Sequence, residues 1–305
     1  MKNALSIDLE DYYHVSAFRN TVAEKDWGTQ ESRVERNTDV LLSFLDEASC
    51  KATFFILGSV ASNFPHLVKR IAKEGHEVAC HSLRHHVVYE MTTEEFRDDA
   101  RRAKEVIEDA AGSRVWGYRA PSFSITEDSL WAFDVLASLG FTFDSSIFPV
   151  KHPNYGIPGI SRFPFVVNTD HGPIVEFPMP SLEIAGRRAP LGGGAYLRLL
   201  PYSYTKWGIR YLNKRENRPV CVYLHPWEID PQQPRLDGPL TSRLRHTFGL
   251  RGLERKLRNL LRDFEFCPLH SLLSEVGPIE PSLTLDEFVG RYRFVSDSGI
   301  LSGTE

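Results

Sequence analysis

Short apolar runs alternate along the chain with longer stretches in which apolar residues recur every three or four positions. The runs at 4–8, 52–57, 76–80, 115–118, 141–143 and 220–224 are too short for stable helices and read as buried strands. Between them lie helical patterns. Residues 38–48 place Val40, Leu41, Phe44 and Leu45 on one face. Residues 64–74 form a second helix, closed by Gly75. Thr92 and Thr93 followed by Glu95 read as a capping box, opening a helix to Ala111 that ends at Gly112. Thr126 starts another, ending at Leu139 before Gly140, and residues 253–264 form a late amphipathic helix. Residues 148–194 are rich in Pro and Gly and predict loops with short antiparallel strands. The last stretch is weakly patterned. Six to eight strand–helix units of this kind predict an α/β fold with parallel strands, arranged as a barrel.

Composition narrows the function classes. The 305 residues are 42% hydrophobic and 25% charged, the balance of an ordinary globular chain. A formal net charge of −4 offers no global field for nucleic acid. No apolar stretch approaches the roughly 20 residues of a membrane span, and the N-terminal apolar run is broken at Asp8, too early for a secretion signal. Cys50, Cys80, Cys221 and Cys267 form no close-spaced framework. They read as buried free thiols, which points to a reducing compartment and a cytoplasmic protein.

A barrel of parallel strands does its chemistry at the carboxyl ends of its strands. There the sequence places Asp8-Leu9-Glu10-Asp11, His81 through His85 and His86, Arg119-Ala120-Pro121, Asp144-Ser145-Ser146, and His225-Pro226-Trp227-Glu228. His81 and His85, four apart, can turn both rings to one ion. Asp8 and Glu10 point the same way in an extended strand, where they repel unless a cation neutralises one. Arg119 suits that pairing, and His225 titrates where a general acid works. Each has a plainer reading as well: capping histidines, an acidic turn capping a helix, a surface ion pair, a satisfied core histidine.

Taken in order, these motifs resemble the NodB-type polysaccharide deacetylases, carbohydrate esterase family 4, over roughly residues 4–230. His81-Ser82-x-x-His85 resembles the family's metal motif, with His86 where Pro is usual. Asp8-Leu9-Glu10-Asp11 resembles its first motif, Arg119-Ala120-Pro121 its Arg-x-Pro, Asp144-Ser145-Ser146 its Asp-x-Ser, and Leu224-His225-Pro226 its last. Gly192-Gly193-Gly194, the run Tyr223 to Glu228, and Phe264-Glu265-Phe266 are similar to the exosortase- and exopolysaccharide-associated branch, related to allantoinase-like and Helicobacter-type peptidoglycan deacetylases.

The resemblance implies a distorted (β/α)7 barrel over 1–235, with an irregular insert at about 148–195 and a helical C-terminal extension, 236–305, packed on it. It implies a metal-dependent hydrolase removing N-acetyl groups from amino sugars of a bacterial exopolysaccharide or its lipid-linked precursor, in the cytoplasm or at the inner membrane. Asp8 is the implied base, Arg119 its partner and His225 the acid. His81 and His85 are implied metal ligands, with Glu10 and Asp11 both candidates for the carboxylate. If the adjacent acidic pair sets the pattern instead, Glu10 becomes the base. Zinc is the default metal, with Co2+, Ni2+ and Mn2+ as alternatives. Rival readings are an allantoinase-like amidohydrolase acting on a cyclic ureide, an inactive carbohydrate-binding domain, and a non-haem iron site, which leaves Arg119 and His225 without a role.

Overall fold

The computed structural model describes residues 1–276, 282–288 and 290. Its first half repeats strand and helix: β1 (Asn3–Leu9), α1 (Val34–Glu47), β2 (Thr53–Ile56), α2 (Gly58–Asn63), α3 (Pro65–Lys73), β3 (Glu77–Cys80), α4 (Thr93–Ala111), β4 (Gly117–Tyr118), α5 (Ala132–Ser138) and β5 (Phe143–Asp144). Then come β6 (Phe165–Thr169), β7 (Gly172–Glu176), β8 (Ser181–Ile184), β9 (Arg187–Pro190), α6 (Gly194–Leu199), α7 (Tyr202–Lys214) and β10 (Cys221–Leu224). The chain continues through α8 (Leu240–Thr247), α9 (Leu250–Asp263), β11 (Phe266–Cys267), α10 (Leu269–Val276) and β12 (Leu283–Thr284).

The main sheet runs β10-β1-β2-β3-β4-β5-β7-β6-β12. From β10 to β7 every pairing is parallel, so these strands end at one rim, as in a distorted barrel. β1 is buried at all seven positions, as in a strand covered on both faces, though Asn3, Ser6 and Asp8 are polar. Helices α1, α3 and α4 turn Leu41, Leu45, Val68, Ile71, Phe96 and Ala103 against the sheet. Caps set their ends. Thr92 and Glu95 close a capping box, and Gly112 sits at φ 68°, the left-handed conformation that stops α4.

Two stretches depart from the sequence reading. The region expected to hold loops and short antiparallel strands does so in the pairs β6–β7 and β8–β9, but β7 also joins the main sheet, parallel with β5. Pro173 and Gly172 mask a strand whose Ile174 and Glu176 point inward. Helix α7 escapes the periodicity because Gly208 interrupts its buried face. That glycine admits a close approach: a Cβ there would lie 2.5 Å from Leu191 Cδ1. Beyond residue 235 the chain is not only helical, since β11 pairs in parallel with β1 at Asn3 and Ala4.

Candidate metal centre and active site

Strand register brings the polar termini together. β3 pairs with β4 through Cys80 and Tyr118, so the next residues, His81 and Arg119, lie side by side. The Arg119 carbonyl can only accept, so His81 Nδ1 donates to it, at 2.8 Å. That bond fixes the tautomer and leaves the Nε2 lone pair free. Burial holds His81 neutral, lowering its pKa to about 4. After His81 the chain makes a tight turn with Ser82 and His85 at φ 68° and 59°. Ser82 Oγ accepts from the His85 amide at 3.1 Å, and Asp99 on α4 accepts from the Leu83 amide at 3.0 Å. The strained turn aims the His85 ring back toward His81, with ring centroids 5.5 Å apart.

Glu10 leaves the end of β1 and enters this pair. One ligand atom from each of Glu10, His81 and His85 lies within 4.8 Å of the others. His85 Nε2 sits 3.0 Å from Glu10 Oε2, yet that oxygen has no hydrogen-bond partner. Burial alone would raise the Glu10 carboxyl; the rings of His85, His225 and His81 outweigh it and hold it well below the usual range. Its other oxygen accepts from Trp227 Nε1 at 3.2 Å. An orphaned buried carboxylate oxygen facing an imidazole nitrogen, beside a second imidazole of fixed tautomer, is a donor set that fits a divalent cation.

Asp11, the other acidic candidate, stands elsewhere. Its Oδ2 accepts from Ser32 Oγ, the Arg33 amide and the Val34 amide at 2.7, 2.8 and 3.1 Å, and its Oδ1 from the Tyr12 amide at 3.1 Å. Oδ2 is spent on the start of α1, the plain helix-capping role open to such a turn, and Oδ1 on the next amide of its own turn.

Asp8 faces the other side of the site. Its Oδ1 accepts from Arg119 Nη1 at 2.7 Å. Arg119 is wholly buried and fully used: it also donates to Ser6 Oγ at 2.8 Å and to the Ser145 carbonyl and hydroxyl at 3.0 Å each, and lies 4.1 Å over the Phe55 ring. His225, at the end of β10, turns Nε2 toward both carboxylates, 3.5 Å from Glu10 and 3.9 Å from Asp8. Its Nδ1 donates to Glu228 at 3.0 Å, and Glu228 accepts from Arg198 Nε at 2.5 Å. Burial opposes a charge on His225, but Glu228, Glu10 and Asp8 prevail and push its pKa up to about 9. Glu228 falls to about 2 against its own burial, chiefly through Arg198 and His225.

The sequence motifs assign no role to Glu228 or Arg198. Glu228 is visible in the run after β10, but Arg198 has no local signal. Asp144 braces its own loop, accepting from the Ser146 hydroxyl at 2.7 Å. Tyr12, Tyr13 and Trp227, aromatics that could have stacked on a sugar, are buried in one apolar cluster with Phe18 and Leu236. All four cysteines are free thiols, three of them buried. A cleft of about 870 Å3 opens beside His85, lined in part by His14, Trp27, His86 and Glu90.

Residues 26–143 match the polysaccharide deacetylase family. That match makes residues 26–143 a polysaccharide deacetylase domain. Residues 145–274 match a domain of unknown function, DUF3473. The deacetylase match holds His81, His85 and Arg119; His225, Glu228 and Arg198 fall in the second match, and Asp8 and Glu10 precede both. The site is therefore assembled across the boundary. Among relatives, a Bacillus cereus peptidoglycan-N-acetylglucosamine deacetylase is 36% identical over 96 residues, 31% of this chain and 35% of that protein. A Bradyrhizobium chitooligosaccharide deacetylase is 31% identical over 101 residues, 33% of this chain and 44% of that one. The chain thus spans less than half the length of these relatives. A solved structure from Mycobacterium smegmatis, assigned to the polysaccharide deacetylases, superposes with a TM-score of 0.61 over 90% of each chain at 20% identity, and shares the fold.

Proposed function

We propose that this chain is a metal-dependent N-deacetylase acting on acetamido groups of a polysaccharide. The observation that carries the reading is the Glu10–His81–His85 cluster, with its partnerless Glu10 oxygen, set beside an Asp8–Arg119 pair and a protonated His225. Glu10, His81 and His85 would hold the ion. Once bound, a divalent cation supplies Lewis-acid polarisation of the acetyl carbonyl and makes water easier to deprotonate. A donor set of two imidazoles and one carboxylate suits zinc.

The chain's own residues divide the proton work. Asp8, oriented by Arg119, accepts the proton of the attacking water. His225, charged and steered by Glu228, returns a proton to the leaving amine nitrogen. Capture of Asp11 by α1 supports Asp8 as base with Glu10 as ligand, over the adjacent alternative. The relatives' names support an N-acetylglucosamine-containing glycan. The resemblance to the exopolysaccharide branch extends this to an exopolysaccharide or its lipid-linked precursor. Four unpaired thiols favour a cytoplasmic setting. We assign 1–235 to the barrel and 236–305 to a C-terminal extension packed on it, of which residues 277–281, 289 and 291–305 lie outside the described residues.

The test is acetate release from chitooligosaccharides by the purified protein, before and after chelation and zinc return. Chelator-sensitive release, restored by zinc and abolished in His81→Ala, is the expected result. Release that survives both chelation and His81→Ala would sink the metal-dependent reading.

A further inference from the structure

Helix α8 presents its apolar side to solvent. Leu240 and Leu244, four apart on one face, are 68% and 56% exposed, and Phe248, in extended backbone just past the helix end, is 62% exposed. A helix packed on a barrel ordinarily turns such a stripe inward. Here the inward attachments are polar or aromatic. His246 is buried, with its ring centroid 4.5 Å from that of Trp227 and 5.1 Å from that of Phe18. The Arg198 guanidinium donates to the carbonyls of Arg245 and Phe248 at 2.9 and 2.5 Å. The helix is thereby pinned with its hydrophobic side out.

The surroundings are basic. Residues 235–256 hold six Arg or Lys against two Asp or Glu, net +4, in a chain whose formal charge is −4. Arg235, Arg243, Arg245 and Arg251 are exposed, and among the described residues none of them forms an ion pair. Elsewhere on the surface the pattern is mixed: Arg19, Arg84 and Arg101 each hold a carboxylate, while the exposed Arg36, Arg187 and Arg210 are spread singly over other elements. Unpaired cations around an exposed apolar stripe meet both requirements of a peripheral membrane contact, insertion at the headgroup boundary and attraction to anionic lipid. A second copy of the chain fits poorly, because symmetric pairing through α8 would set these arginines against their own copies.

From this face we infer that α8 docks the protein on an anionic lipid surface. Trp227, which holds His246, also donates to Glu10, so docking brings the rim of the candidate site to the membrane. The inference stands whatever reaction the site performs.

The experiment is co-sedimentation of the full chain with phosphatidylcholine vesicles, with and without phosphatidylglycerol, at low and high salt. Binding is expected only with phosphatidylglycerol, and weaker at high salt. The triple variant Leu240→Ser, Leu244→Ser, Phe248→Ser should lose roughly tenfold in partitioning. Arg243→Gln with Arg251→Gln should lose about fivefold per charge removed. Thermal unfolding of both variants should match the parent, since the altered side chains are exposed. No sedimentation with phosphatidylglycerol vesicles, or equal sedimentation of parent and variants, overturns the inference. So does a concentration-dependent dimer that the triple variant dissociates.

Discussion

At the scale of single residues, the site separates two acids that neighbour each other in sequence. Glu10 and Asp11 differ by one position, yet one faces two imidazoles and the other caps a helix. Both lie past the end of β1, where the chain turns, and Asp11 is captured by the backbone leading into α1. Asp11→Ala should therefore cost roughly 2–3 kcal/mol of stability, because it strands buried amides at the start of α1. Bound metal per chain should stay unchanged. Elemental analysis of the purified variant checks this, and loss of metal with unaltered stability would return Asp11 to the ligand set. His225 shows the same dependence on neighbours. Its ordinary pKa makes it a candidate acid, but its charge comes from Glu228, three residues on, with Glu10 and Asp8, while Arg198 behind it helps hold Glu228 ionised.

At the scale of elements, the rim works because strand ends and the turns after them are held to narrow tolerances. β10 carries His225, and its Tyr223 lies flat against Gly193. A Cβ added at Gly193 would fall 2.0 Å from Tyr223 Cδ1. Gly193→Ala must push that ring, and with it the strand that aims His225. We expect a loss of about 1–3 kcal/mol together with reduced acetate release. Thermal denaturation and the release assay on the same preparation test this; wild-type values in both would show that the approach is not needed. The helices that the sequence displays clearly, α1, α3, α4 and α9, are those with a regular apolar stripe, to which α4 adds a capping box and α3 a following Gly75. α7 and β7 are hidden where glycine or proline breaks the pattern while tertiary packing supplies the contacts.

At the scale of the whole molecule, buried neutral histidines set the acid limit. Burial lowers His76 and His246 to about 4 each. The Ala52 amide donates to His76 Nδ1 at 3.2 Å, a bond that protonation would end. Both folded values lie below the unfolded value of roughly 6.5, so between these limits the unfolded chain binds more protons. Their stabilisation is present above roughly pH 6.5 and drains away as pH falls toward about 4. For His76 this amounts to about 1–2 kcal/mol between pH 7 and 5. His76→Asn, which keeps an acceptor but does not titrate, should flatten the dependence by that amount in urea unfolding at the two pH values. An unchanged slope would remove His76 from the account. No helix among the described residues is long and apolar enough to cross a membrane.

The sequence alone determined the alternation of strand and helix, the ends of the well-capped helices, and the residue types that gather after each strand. These follow from local rules: periodicity, capping and the pleat. The tertiary structure decided which of those residues meet. Parallel register set His81 beside Arg119, the turn after β3 folded His85 back, and Glu10 rather than Asp11 came to face them. It also decided that Arg198 stands behind Glu228, and that α8 keeps its leucines outside. Such pairings join residues tens to hundreds of positions apart, and no window of sequence contains both partners.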